Sequence, residues 1–109
     1  MAPETGRMRA LNDAFRQTLQ GGRVLMTVGV SALPADAVVR AVAMMQQFNA
    51  FTPDNDPHGE HDFGNFEIGD QRFFWKIDYY DKSMKVGSDD PADPATTTRV
   101  LTLMLAEEY

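Results

Sequence analysis

Residues 54–62 put six groups capable of proton transfer or metal ligation into nine positions: Asp54, Asp56, His58, Glu60, His61 and Asp62. Both histidines of the chain are among them. A His-x-x-His spacing can bring two imidazoles to one metal ion, with a carboxylate completing a set of hard and borderline ligands. Asp78 is the candidate third arm. In that reading His58, His61 and Asp78 form a small metal-assisted hydrolase or nuclease, the ion supplying Lewis acidity or a bound hydroxide. Without a metal, an imidazole oriented by a neighbouring carboxylate can act as a general base. The same run has a plainer reading, in which the Asp side chains cap turns beside Pro53 and Pro57.

Other templates fit less well. A calcium-binding EF-hand loop would take Asp54 and Asp56 as its first and third positions and Gly59 as its sixth. Its fifth would be His58 and its twelfth Asn65, where a bidentate Glu belongs. Ser31, Ser83 and Ser88 sit in no strand-to-helix elbow, and no glycine-rich run can cradle a phosphate. With no cysteine among 109 residues, disulfides and thiolate metal sites are excluded. No cofactor is expected.

Charge points to a different class of function. The formal net charge is −6, concentrated in the second half, while residues 1–50 are slightly basic. Binding to a phosphate backbone draws its affinity from Lys and Arg displacing counterions, so direct nucleic-acid binding is not expected. An acidic chain suits a basic protein surface, including that of a nucleic-acid-binding protein. No apolar run approaches the ~20 residues that span a bilayer, and the first residues lack the apolar centre of a signal peptide. The expectation is a cytoplasmic protein with no membrane partner, and the sequence leaves its oligomeric state open.

The elements that must position these groups form one domain, residues 1–109. Met8, Leu11, Phe15 and Leu19 make one stripe of an amphipathic helix, with Arg9, Asp13, Arg16 and Gln20 opposite and Gly21-Gly22 at its end. Val24 to Val30 is apolar on both alternations, as in a strand covered on both faces or lying mid-sheet. Pro34 opens a second helix, Ala35 to Asn49, expected to be the most buried. Residues 51–64 read as an ordered loop of functional length.

Phe66 to Ile68 and Gln71 to Tyr80 read as a hairpin about Gly69-Asp70, pairing Ile68 with Gln71, Glu67 with Arg72 and Phe66 with Phe73. Phe66, Ile68, Phe73, Trp75, Ile77 and Tyr79 then share the core face. Phe74, Lys76, Asp78 and Tyr80 share the other, where large amphipathic aromatics beside charge make a recognition surface. After a second acidic loop, Asp93 is expected to cap a last helix bearing Val100, Leu101, Met104 and Leu105, with Arg99 pairing with Asp93 or Glu107. The order is α-β-α-β-β-α: a small α+β domain with an antiparallel hairpin, a further strand and three helices on one face. The expected core is Phe15, Val28, Val42, Phe66, Phe73, Trp75, Ile77 and Leu101.

The strings DNDPHGEHDFG, FFWKIDYYD, GSDDPADP and RVLTLMLAEEY together resemble a small uncharacterised bacterial family, a domain of unknown function, over about Leu11 to Tyr109. The resemblance supplies no activity and no site residue. It implies an accessory protein of the kind often encoded on plasmids and mobile elements, with a plasmid-maintenance or anti-defence role of the anti-restriction or anti-CRISPR type. The expectation is therefore a non-catalytic acidic binding module. Its binding residues would be Asp54, Asp56, His58, Glu60 and His61 in the loop, and Phe74, Lys76, Asp78 and Tyr80 on the hairpin. The metal-assisted hydrolase is the alternative.

Overall fold

The computed structural model describes residues 3–109. Their elements run α1 (Pro3–Thr18), β1 (Gly22–Met26), α2 (Val28–Ser31), α3 (Ala35–Gln47), β2 (Phe63–Ile68), β3 (Gln71–Tyr80) and β4 (Thr98–Leu105), closing on a 3-10 turn over Ala106–Glu108. The strands form one mixed sheet in the order β1-β4-β3-β2. β1 runs parallel to β4, and the other two pairs are antiparallel.

The hairpin has the anticipated register: Ile68 faces Gln71, Glu67 faces Arg72 and Phe66 faces Phe73. Gly69 takes φ +59°, which places its turn in the left-handed region that glycine enters without steric cost. Phe66 and Phe73 stack with centroids 5.3 Å apart, and Glu67 pairs with Arg72. Phe73, Trp75 and Ile77 are buried on one phase of β3, and β4 supplies Leu101 and Leu103 opposite them. Phe15 of α1, Val30 of α2 and Ala41 and Met45 of α3 complete this core. All three helices thus pack on the inner face.

Three expectations about the elements are corrected. The last helix is β4, so the observed order is α-β-α-α-β-β-β. β4 lies between β1 and β3, and Val100 and Met104 on its outer phase are as buried as Leu101 and Leu103 on its inner one. A strand buried on both phases has no period-two signature and can imitate a helix. Asp93 does not cap a helix: its carboxylate accepts from Ala95 N–H at 2.9 Å in a turn. The β-branched run Thr96-Thr97-Thr98 that follows suits a strand.

Second, β1 is an exposed edge rather than a mid-sheet strand and ends at Met26. Val28, expected in the core, belongs to α2 and is 85% exposed. Third, α3 ends at Gln47 and is not the most buried helix, since Val39 on it is exposed and only Ala41 and Met45 are buried. Phe15, Phe73, Trp75, Ile77 and Leu101 are buried as expected, whereas Val42 and Phe66 are half-buried.

Candidate functional site

The loop of residues 51–62 is built against α1 by its second histidine. His61 Nδ1 lies 2.9 and 3.1 Å from the two oxygens of Asp13, so this nitrogen carries a proton and donates it to the carboxylate. Its Nε2 lies 3.6 Å from Asp56, and its ring stacks on Phe51 with centroids 3.7 Å apart. Asp56 is itself a turn cap, accepting from the backbone N–H groups of Glu60 and His61. Together these contacts hold His61 at φ +56°, a conformation unusual for a residue with a Cβ. A cavity of about 510 Å³ lies alongside, its wall including Arg9, Phe51, Asp56, His58 and His61.

Beneath the loop runs a buried polar chain. Asn12 is fully buried. Its amide donates to Glu60 O at 3.0 Å and to the Tyr79 hydroxyl at 2.8 Å, and its carbonyl accepts from Arg99 Nε at 2.8 Å. Tyr79 donates to Asp62 at 3.0 Å. Arg99 also donates to Pro91 O at 2.6 Å and lies over the Tyr79 ring. Burial raises the Tyr79 phenol far above its ordinary range, with Asp62 adding to it, so the hydroxyl stays protonated and available as a donor.

Burial also raises the Asp62 carboxyl, an effect the Tyr79 hydrogen bond opposes. Glu60 is raised by burial first and by Asp62 second. Arg16, 1% exposed, binds Asp13 at 3.0 Å and donates to the carbonyls of Met45, Gln46 and Phe48 at the end of α3. Arg9 Nε donates to Gly59 O at 2.7 Å, and a side chain at Gly59 would come within 2.9 Å of Arg9.

The sheet separates the residues of the metal reading. His61 sits on the helix side, stacked on Phe51, whose ring meets Trp75 edge-on. Asp78 is on the opposite phase of β3 and bonds Lys76 at 2.9 Å. His58 is exposed at the cavity rim. Among the described residues, no three His, Asp or Glu side chains are grouped to hold a metal ion. The bond to Asp78 raises the Lys76 ammonium above its ordinary range.

The remaining candidates divide by position. Asp54 is exposed, whereas Asp56 and Glu60 turn partly inward. Phe74 packs edge-on against Phe63 at 5.5 Å and Tyr109 at 5.1 Å on the outer face of the sheet. Tyr80 is half-buried and bridges Gly87 of the second acidic loop. The register places both acidic loops at one end of the sheet, because Phe63 opposes Lys76 late in β3 and Thr98 opposes Tyr80 at its end. Residues 51–62 hold four carboxylates and no Lys or Arg, and residues 81–97 hold four against Lys82 and Lys85.

Asp13 and Arg16, which the sequence pattern sets opposite the apolar stripe of α1, and Asn12, to which it gives no role, are all drawn into this network. Arg99 pairs with neither Asp93 nor Glu107 but is buried against Asn12. The available signal was Asn12 itself, four residues from Met8 and three from Phe15, a polar residue written into the buried stripe.

The chain belongs to a family described as protein of unknown function (DUF3768), whose profile matches residues 26–108. No curated protein and no solved structure matches it. Among the described residues no helix is long and apolar enough to cross a membrane.

Proposed function

We propose that this chain is a non-catalytic binding module that docks its acidic end on a basic protein surface. The observation that carries the reading is the convergence of the two acidic loops at one end of the sheet, beside Asp78 and Tyr80. The loop of residues 51–62 is fastened to α1 and β3 before any partner arrives, so binding need not order it. Complementary charge raises the association rate and fixes orientation, and the half-buried Tyr80 offers an aromatic anchor within the charged rim. A nucleic-acid-binding protein of a restriction or CRISPR system is a fitting partner, because the face it offers DNA or RNA is basic. That assignment gives the family's members an anti-defence or plasmid-maintenance role in bacteria.

The site residues of this reading are Asp54, Asp78 and Tyr80, with Asp89 and Asp90 from the second loop. Asp56 and Glu60 serve it by holding the loop, and His58 and His61 take no chemical part. The test is capture of host proteins on the immobilised chain, comparing wild type with an Asp54→Lys, Asp89→Lys, Asp90→Lys variant. Basic, nucleic-acid-binding proteins are expected on the wild type, released by competing duplex DNA and by salt, and lost from the variant while its melting temperature holds. Capture that survives charge reversal, or hydrolysis of a phosphodiester abolished by His58→Ala, defeats the reading.

A further inference from the structure

The exposed edge of the sheet is written as an interior strand. Val24, Leu25, Met26 and Val28 are apolar on both alternations, the pattern of a strand with neighbours on either side and cover on either face. Among the described residues β1 has one neighbour, β4. Val24 is left 36% exposed, Leu25 51% and Met26 44%. β1 is five residues long and carries one charge, Arg23, but it has no proline and no lysine, and its pairing with β4 runs without a bulge. From residue 17 to residue 35 the only charged side chain is Arg23, so this segment repels a copy of itself far less than the acidic loops would.

The backbone fixes how a partner strand would pair. Thr27 N–H donates to Leu103 O, and successive residues of a strand turn their amides to opposite edges. Arg23 and Leu25 therefore turn theirs toward β4. Gly22, Val24 and Met26 present N–H and C=O groups to the open side. An antiparallel strand bonds best where such residues face each other in pairs that exchange both hydrogen bonds.

We propose that β1 pairs antiparallel with β1 of a second copy, across a two-fold axis between the two Val24 residues, joining two four-stranded sheets into one. In this register Val24 faces Val24, Gly22 faces Met26, and the open groups of all three residues are satisfied on both copies. Arg23 opposes Leu25 of the second copy rather than another Arg23. Val24 and Met26, which share the inner phase with Leu101 and Leu103, meet their counterparts there, so the helix layers of both copies lie on one side of the joined sheet. The interface is isologous, as a closed dimer requires.

Sedimentation equilibrium of the full chain decides the matter, with the 12.2 kDa monomer as reference. A concentration-dependent dimer is expected. Val24→Pro removes an amide that faces the open edge and none that faces β4, so it should weaken the dimer at least tenfold while the circular dichroism is retained. Should that variant fail to fold, the half-exposed Leu25 supplies the same test. Leu25→Arg, set against Arg23 of the second copy, should weaken association, and Leu25→Glu should strengthen it. In a chain without native cysteine, the double variant Arg23→Cys, Leu25→Cys should cross-link two copies on oxidation, and Leu25→Cys alone should not. A chain that remains monomeric at ~0.5 mM, or a dimer indifferent to all of these changes, overturns the proposal. A monomer whose β1 is instead required to bind a foreign polypeptide also overturns it, assigning the edge to that partner.

Discussion

Replacing Asn12 by alanine should destabilise the domain by about 3–5 kcal/mol. Its side chain is fully buried and makes three hydrogen bonds, one from the charged Arg99 and two to the neutral acceptors Glu60 O and Tyr79 Oη. A hydrogen bond to a charged group contributes about 1.5–3 kcal/mol and a neutral one about 0.5–1.5. Truncation also leaves the partners buried, so they do not regain water when the amide is lost. Against a total stability of roughly 5–15 kcal/mol for a domain of this size, the loss is a large fraction. Urea unfolding followed by circular dichroism gives the free energy, with an unchanged m-value confirming that the folded state is the same. Exchange of the Ile77 amide, which bonds Asp62 O, reports whether the loop loosens first. A loss below about 1 kcal/mol would refute the reasoning, because it would mean that water replaces the amide without cost.

Trp75, with no exposed surface, sits among Phe48, Phe51 and Arg16; Trp75→Ala should cost about 3–5 kcal/mol, and a wild-type emission maximum typical of a solvated indole would contradict its placement. Glu108 accepts from Thr27 Oγ1, Gly29 N and Leu105 N, and these bonds, the Thr27 hydroxyl foremost, hold its carboxyl below the ordinary value of 4.5. A depressed folded pKa means stability that is present above the unfolded value and lost as pH falls through the folded one. Glu108→Gln should therefore melt earlier at neutral pH, with the gap closing as pH falls from 4.5; a gap that does not narrow counts against the assignment. His58→Ala should change stability by less than about 0.5 kcal/mol, whereas His61→Ala, which leaves Asp13 with Arg16 as its one remaining donor among the described residues and removes the ring stacked on Phe51, should cost about 1–3 kcal/mol. Thermal melts of the two variants side by side test this, and equal losses would reject it.

Local rules read the hairpin correctly because its information is local: a Gly-Asp turn, strict alternation along β3 and two complementary cross-strand pairs all specify one register. β4 imitates a helix in the sequence because burial on both phases erases the alternation, and what covers it comes from residues distant in sequence. β1 shows the converse, an apolar pattern that promises two neighbours where the single chain provides one. The loop reads from sequence as ordered and chemically dense, yet nothing local names its partners. Asp13 and Arg16 lie on a helix face that an isolated helix would leave in water, and it is covered only by distant parts of the chain, Arg16 by the end of α3 and Asp13 by His61 of the loop. The α1 stripe from Met8 to Phe15 was legible, but Asn12 inside it could be read only as an exception.

That exception links the core to the rim. Arg99 reaches the second acidic loop through Pro91 O and, through Asn12, the first through Glu60 O. One buried guanidinium thus stands beneath both loops and fixes each by its backbone, leaving the outward carboxylates unpaired by it. Burial lowers the pKa of Arg99, yet a guanidinium keeps its charge through any pH at which the domain folds. A surface-to-loop ion pair would be screened by salt, whereas these contacts are buried and screened much less. An acidic rim held in this way keeps its shape at the ionic strength of a cell. Within the binding reading, salt should therefore weaken the partner complex by screening the encounter, with no loosening of the loops that make it.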